Sequence, residues 1–191
     1  MSEEIVVVSG LGRCGSSAMM QMLEAGGMPL YTHTPVFYES KRVLGLPEKS
    51  SFLEQAKGKA LKILDPQIYQ PSPKYAYRFI WMDRNIQQQV KSQRKFLIHR
   101  LKRDVPYLKG WEGSLSADRT YALSVLSSLG PVLIVSFEAL IGDPLRVAYD
   151  VGQYLLGIVD FDTHAASSVI RARESDCLQH MEEINEDKGG K

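Results

Sequence analysis

The residues best suited to chemistry lie near the N-terminus, in the run Ser9-Gly10-Leu11-Gly12-Arg13-Cys14-Gly15-Ser16-Ser17. Glycines in such a loop adopt backbone angles that other residues avoid. When a helix follows, the loop amides and the positive end of the helix dipole converge on one point, which suits phosphate or sulfate. The run therefore predicts an anion-binding loop. A glycine-rich turn without a ligand is the alternative.

Two apolar segments are predicted to hold this loop. The β-branched run Ile5-Val6-Val7-Val8 is too short for a helix and is typical of a buried strand. From Ser16 onwards, Met19, Met20 and Leu23 fall on one side of an amphipathic helix. A strand, a glycine loop and a helix thus follow one another in the order that an anion site requires.

The spacing is close to that of a nucleotide-binding P-loop, G-x-x-x-x-G-K-[ST], with Gly10, Gly15 and Ser17 in register. Ser16 stands where the P-loop has its lysine, which reaches the terminal phosphates of a nucleoside triphosphate. The missing lysine argues against an ATP or GTP enzyme. Arg13, two residues before Gly15, supplies a cation instead.

The run Arg13-Cys14-Gly15-Ser16-Ser17 resembles the 5′-phosphosulfate loop of sulfotransferases, whose donor is 3′-phosphoadenosine 5′-phosphosulfate. That loop commonly reads Lys or Arg, Ser, Gly and then two Ser or Thr, so Cys14 is the one departure. The resemblance is to a small bacterial- or phage-type member of the family. It implies that these five residues bind the donor and that Arg13 also acts in catalysis.

A second match lies on the predicted strand Ala60-Leu61-Lys62-Ile63-Leu64, which Asp65-Pro66 stops. Lys62 is unusual there, because an unpaired ammonium is costly in a buried strand. Sulfotransferases carry a lysine at this point with a proline four residues on, and Lys62 with Pro66 resembles that pattern. The resemblance implies that Lys62 approaches the transferring sulfonate. Leu64 replaces the histidine that cytosolic members use as a base.

A third match follows the predicted strand Tyr75 to Met82 and begins the predicted helix Asn85 to Arg103. Sulfotransferases bind the 3′-phosphate of the donor with an arginine at the end of a strand and a serine eight residues later. Arg84 and Ser92 resemble that pair, and Ile86 replaces the usual proline. The chemistry is suitable, because guanidinium groups bind phosphate oxygens in pairs.

The general base has two candidates, His33 and Glu39, in the polar and aromatic segment 32–40. Each alone is more often a surface residue than a catalyst. His33 titrates near neutrality without help, whereas Glu39 needs burial to raise its pKa. Sulfotransferases without the histidine often use a glutamate from this segment. The resemblance therefore slightly favours Glu39.

The remaining elements are predicted from turn residues and apolar runs. They are a short strand at Met28-Pro29-Leu30-Tyr31, a helix at Ser116 to Leu129, a strand at Pro131 to Phe137, and a helix from Asp143-Pro144 to Leu156. The last two resemble a sulfotransferase segment, so the resemblance covers about 5–157. A helical tail with a frayed end is predicted for 158–191. Its Arg171 and Arg173 lack the family's Arg-Lys-Gly triplet.

Alternating strands and helices predict an α/β fold, with a mostly parallel sheet between two helical layers, in a single domain over 1–191. The resemblance makes this the P-loop NTPase-like sulfotransferase fold. Ligands of such sheets lie beyond the carboxyl ends of the strands, where Arg13, Lys62 and Arg84 are expected to gather. No cluster of ligating residues indicates a metal.

Composition limits the other possibilities. A net charge of +1 gives no field that favours nucleic acid or an anionic membrane, and no apolar run reaches the roughly 18 residues that span a bilayer. The acidic N-terminus leads directly into the first strand, so no signal peptide is expected. Two cysteines indicate no disulfide framework and favour a reducing cytoplasm.

These observations together predict transfer of a sulfonate from 3′-phosphoadenosine 5′-phosphosulfate to a hydroxyl or amine of a small-molecule or glycan acceptor. A P-loop kinase of small molecules is one alternative, which Ser16 disfavours. A non-catalytic module that keeps a degenerate nucleotide site is the other. Neither the acceptor nor the oligomeric state follows from the residues.

Overall fold

A computed structural model of the chain describes residues 3–32 and 51–171. These ranges contain four strands and seven helices. The strands are β1 (Ile5–Gly10), β2 (Ala60–Leu64), β3 (Tyr77–Asp83) and β4 (Val132–Ser136). The helices are α1 (Ser16–Ala25), α2 (Ser51–Gln55), α3 (Ile86–Leu101), α4 (Trp111–Leu129), α5 (Phe137–Gly142), α6 (Pro144–Tyr154) and α7 (Thr163–Ser168).

The four strands form one sheet in the order β2-β1-β3-β4, and every pairing is parallel. Gly10 at the end of β1 lies opposite Leu64 at the end of β2. Ser9, one residue earlier, lies opposite Trp81 of β3. The carboxyl ends of β1, β2 and β3 therefore meet at one edge of the sheet, and the glycine loop leaves from the middle of that edge.

Helices cover both faces of this sheet. Val6 and Val8 of β1 belong to a core shared with α1, α5, α6 and α7. Ile5 and Val7 belong to a second core shared with α2, α3 and α4. Strands buried on both faces are typical of parallel sheets, which explains why β1 reads as a continuous apolar run. The predicted α/β fold with a parallel sheet between helical layers is confirmed.

Two element boundaries differ from the sequence predictions because of local capping. The Ser136 hydroxyl accepts a hydrogen bond from Ala139 N (3.2 Å) and caps α5, so Phe137 begins a helix and does not continue β4. Helix α4 begins at Trp111, earlier than the predicted Ser116. Gly110 takes a left-handed conformation (φ 89°), which starts the helix at this point.

Two apolar segments form less of the sheet and of the core than the sequence predicted. The segment from Met28 to Tyr31 forms only a single bridge, between Leu30 and Ala60. On α3, Val90 is buried, but Leu101 is 46% exposed. The predicted apolar side of α3 therefore packs near its start and leaves its last turn in solvent. No helix of the described ranges is both long and apolar enough to cross a membrane.

The predicted tail over 158–191 is described only as far as residue 171, where it contains α7. Ala166 of α7 is buried in the core that contains Val6 and Val8. The part of the tail beyond residue 171 lies outside the described residues. The prediction of a single domain over 1–191 stays a prediction.

Candidate active site

The loop between β1 and α1 needs glycine at two positions. Gly15 caps α1 with φ 98°, and a Cβ there would overlap the ring of Phe137. A Cβ on Gly10 would lie 2.5 Å from Cys14 Sγ and 2.8 Å from the carbonyl oxygen of Met82. Arg13 also has a positive φ of 69°. The chain therefore turns tightly here, with little room around it.

The start of α1 is suited to an anion. Ala18 N (3.0 Å) and Met19 N (3.3 Å) both donate to Gly15 O, which closes the first turn. That turn contains no acidic residue. Because the helix dipole places partial positive charge at this end, an anion is favoured there over a cation.

Lys62 reaches the same point from the neighbouring strand. It lies opposite Val8 in the sheet and is only 5% exposed. Its Nζ donates to Ser17 Oγ across 3.5 Å. A lysine of β2 thus lies beside the first turn of α1, and its charge has the same sign as the end of the helix dipole. Both attract a negative group.

Arg84 contacts the loop at Arg13. Arg84 directly follows β3, is 6% exposed, and donates from Nη1 to Arg13 O (2.8 Å). Its guanidinium lies 4.6 Å from the centre of the Phe137 ring. Arg13 Nε donates to Ser92 Oγ (3.4 Å). The arginine and the serine predicted to bind the 3′-phosphate therefore both contact Arg13.

Two glutamines of α3 that were not among the predicted site residues also hold the loop. Gln89 Nε2 donates to Leu11 O (3.1 Å) and Gly12 O (3.0 Å). Gln93 Nε2 donates to Gly12 O (3.1 Å). The available signal was their spacing of four residues, about one helical turn, which places them on the same side of α3. The sequence could not show that this side of α3 faces the loop.

Two ionisable groups near the loop have raised pKa values. Burial raises the pKa of the Cys14 thiol to about 11, so the thiol is neutral at physiological pH. Burial, with a contribution from the charge of Asp118, also raises the pKa of Asp65. Asp65 follows β2, has φ 52°, and accepts a hydrogen bond from Gly12 N at Oδ1 (3.4 Å).

A cavity of about 570 Å³ opens beside Arg84, between the carboxyl ends of β3 and β4. Arg119 of α4 lines it and forms an ion pair with Asp83 (2.6 Å). Glu138 of α5 also lines it, and accepts hydrogen bonds from Asn85 N (3.2 Å) and Ser136 Oγ (3.0 Å). The cavity is polar and balanced in charge.

The structure brings most of the predicted site residues together at the loop. They are Arg13, Cys14, Gly15, Ser16, Ser17, Lys62, Arg84 and Ser92. The two predicted bases, His33 and Glu39, lie outside the described residues, as does Arg173. Arg171 is described and exposed. Over the described ranges, no group of three or more His, Cys, Asp or Glu residues could hold a metal ion.

Comparison with known proteins supports the fold. No protein-family model and no curated protein sequence matches the chain. Among solved structures, the chain has the fold of sulfotransferases. One such structure is that of mouse sulfotransferase SULT7A1 complexed with PAP, at a TM-score of 0.53 and 16% sequence identity. The match covers 94% of this chain and 75% of that protein. At this identity the likeness is one of fold.

Proposed function

We propose that this chain is a sulfotransferase that moves a sulfonate group from 3′-phosphoadenosine 5′-phosphosulfate to a hydroxyl or amine. The observation that carries the proposal is the convergence of buried cations on a glycine loop. Lys62 of β2 contacts Ser17, and Arg84, which follows β3, contacts Arg13, although neither is near the loop in sequence. The likeness of the fold to a sulfotransferase complexed with PAP supports the same proposal.

The residues of the loop fit the donor. The start of α1 lacks acidic residues, so the backbone amides of Gly15, Ser16 and Ser17 favour an anionic group. Position 15 needs glycine, because a Cβ there would overlap the ring of Phe137. Arg84 and Ser92 are proposed to bind the 3′-phosphate, because a guanidinium and a hydroxyl both donate to phosphate oxygens.

The bound donor supplies a sulfonate that is already activated by its link to phosphate. The residues of this chain orient that group and stabilise the charge that grows on the leaving phosphate oxygen. Arg13, Lys62 and the first amides of α1 are proposed to fill this electrostatic role, and the contact of Lys62 with Ser17 supports it. By analogy with phosphoryl transfer, positioning and charge account for most of the catalysis.

The acceptor is proposed to be a small molecule or a glycan, and its proton is proposed to pass to Glu39, with His33 as the alternative. Neither residue belongs to the described part of the chain, so these roles come from the sequence. Placement in the cytoplasm, without nucleic-acid or membrane partners, is likewise part of the proposal. It follows from the near-neutral charge and the two cysteines.

Ligand-dependent thermal stability tests the proposed donor. Adenosine 3′,5′-bisphosphate should raise the melting temperature as its concentration increases, because it binds only the folded state. At a hundredfold excess over its dissociation constant the gain is about 2.7 kcal/mol. ATP with magnesium, and GTP, should have much smaller effects. A larger shift with ATP would indicate a kinase, and binding without any sulfonate transfer would indicate a non-catalytic module.

The Arg84→Ala variant tests which phosphate this residue binds. It should weaken adenosine 3′,5′-bisphosphate by about 1.5–3 kcal/mol, the scale of hydrogen bonds to charged groups, and adenosine 5′-phosphate far less. Arg100→Ala is the matched control, because Arg100 is exposed near the other end of α3. Equal weakening of the two nucleotides in Arg84→Ala would show that Arg84 only supports the loop.

A further inference from the structure

Side chains of α3 donate hydrogen bonds to backbone carbonyl oxygens of the loop. Gln89 donates to the carbonyl oxygens of Leu11 and Gly12, and Gln93 donates to that of Gly12. The next carbonyl, that of Arg13, accepts from Arg84 immediately before α3. Three consecutive loop carbonyls therefore point towards the segment 84–93.

The direction of these carbonyls determines the direction of the loop amides. In a planar trans peptide the C=O and the N–H of the same unit point in opposite directions. Carbonyls of Gly12 and Arg13 that face α3 therefore turn the N–H groups of Arg13 and Cys14 away from it. The peptide unit between Leu11 and Gly12 has the same orientation. Its carbonyl accepts from Gln89, and its N–H, on Gly12, donates to the carboxyl oxygen of Asp65. The Gly12 N–H therefore lies on the side of the loop away from α3, where Asp65 accepts its hydrogen bond.

The glutamines are well suited to holding the loop carbonyls in one orientation. Gln89 is 4% exposed, so its amide has left water and is held by two loop carbonyls. A side-chain amide is neutral, so it holds the carbonyls without changing the charge that an anion meets. A loop fixed in advance binds its ligand more tightly, because the ordering cost is not met on binding.

We propose that Gln89 and Gln93 are positioning residues that hold the loop with its amides directed towards the 5′-phosphosulfate end of the donor. This inference rests on the proposed function. It assigns to α3 a second role besides Ser92, which is proposed to bind the 3′-phosphate. One helix then organises the sites for both phosphate-bearing ends of the donor.

Binding of three nucleotides by calorimetry tests the proposal. The probes are adenosine 5′-phosphate, adenosine 3′-phosphate and adenosine 3′,5′-bisphosphate. The side-chain amides that donate to the loop are removed in three variants, Gln93→Leu, Gln89→Leu and the double variant. Gln88→Leu is the control, because Gln88 is exposed on the same helix. The double variant should bind adenosine 5′-phosphate about tenfold more weakly, because without these hydrogen bonds the loop must be ordered when the ligand binds. Its affinity for adenosine 3′-phosphate should change less than twofold.

Hydrogen exchange supplies a readout that needs no ligand. The amide of Gly12, which donates to Asp65 Oδ1, should exchange faster in the variants than in the wild type, while amides of β1 keep their protection. Because Gln93 is less buried than Gln89, Gln93→Leu provides the test if Gln89→Leu does not fold.

Two results would overturn the inference. One is equal loss of affinity for both monophosphates, which would mean that the glutamines only stabilise the fold. The other is unchanged exchange at the amide of Gly12. A wild-type chain that binds none of the three nucleotides would instead contradict the proposed function, and the exchange experiment would still decide whether the glutamines hold the loop.

Discussion

At the scale of single residues, Asp65 stands out because a carboxyl group lies against a loop proposed to bind anions. It accepts a hydrogen bond from Gly12 N, and burial together with Asp118 raises its pKa. The folded chain therefore holds this proton to higher pH than the unfolded chain, in which the carboxyl has its ordinary pKa of 3.8. Ionised Asp65 thus destabilises the fold. The free energy of unfolding falls as pH rises from the ordinary pKa of the unfolded chain through the raised pKa of the folded chain.

Asp65→Asn should therefore stabilise the protein at neutral pH. The amide oxygen of asparagine still accepts from Gly12 N but carries no charge. The gain in unfolding free energy, measured by urea denaturation, should be largest at pH 7 and should disappear below about pH 3, where Asp65 is protonated in both states. A gain that stays constant between pH 3 and pH 7 would show that the charge is not its cause.

The identity of the general base is a second question at the residue scale. Glu39→Gln should lower turnover by about a hundredfold or more, the usual scale of general-base catalysis, with donor affinity nearly unchanged. The measurement is transfer of labelled sulfonate to a panel of alcohols, phenols and amines, alongside binding of adenosine 3′,5′-bisphosphate. Full turnover in Glu39→Gln with loss of turnover in His33→Ala would reverse the assignment. Activity in both variants would place the base elsewhere.

At the scale of elements, the short connections around β4 depend on side-chain caps. Asp143 lies between α5 and α6, and its Oδ1 accepts from Arg146 N (3.1 Å) at the start of α6. Pro144 occupies the first turn, where its missing N–H costs nothing. Helix α6 buries Val147, Val151 and nearby residues against the sheet, so its start matters for the core that contains β1.

Asp143→Ala should therefore lower the free energy of unfolding by about 1 kcal/mol, the typical loss for an N-cap. Asp150→Ala is the matched control on the same helix, since Asp150 makes only an exposed ion pair with Arg146 (3.1 Å). That pair should contribute no more than about 0.5 kcal/mol. Urea denaturation of both variants measures the difference, and equal losses would mean that the cap does not limit stability.

At the scale of the whole molecule, local patterns predicted the fold well. The apolar run of β1, the strand Ala60–Leu64 and the Asp143-Pro144 helix start all depend on neighbouring residues, and the structure contains each of them. The parallel α/β class followed from their alternation and is confirmed. Boundaries were wrong where a cap decided them, as at Gly110 and Ser136.

The candidate site was only partly predictable. Lys62 was identified because an ammonium group is unusual in a buried strand, and Arg13 and Arg84 because their motifs resemble those of sulfotransferases. The structure brings these three residues to one loop. Their roles stay predictions. Gln89 and Gln93 were missed because their contacts depend on the rotation of α3 relative to the loop, which tertiary packing determines.

The parallel arrangement of the sheet has a consequence for how the site forms during folding. The contacts Lys62–Ser17, Arg84–Arg13 and Gln93–Gly12 join residues that are 45, 71 and 81 positions apart in the chain. Such distant pairings form slowly, because long loops must close before any contact compensates for the lost entropy. No fragment lacking β1, β2 or β3 contains the whole site. A bound nucleotide therefore reports that these three strands have assembled, and it should retard unfolding more than it accelerates folding.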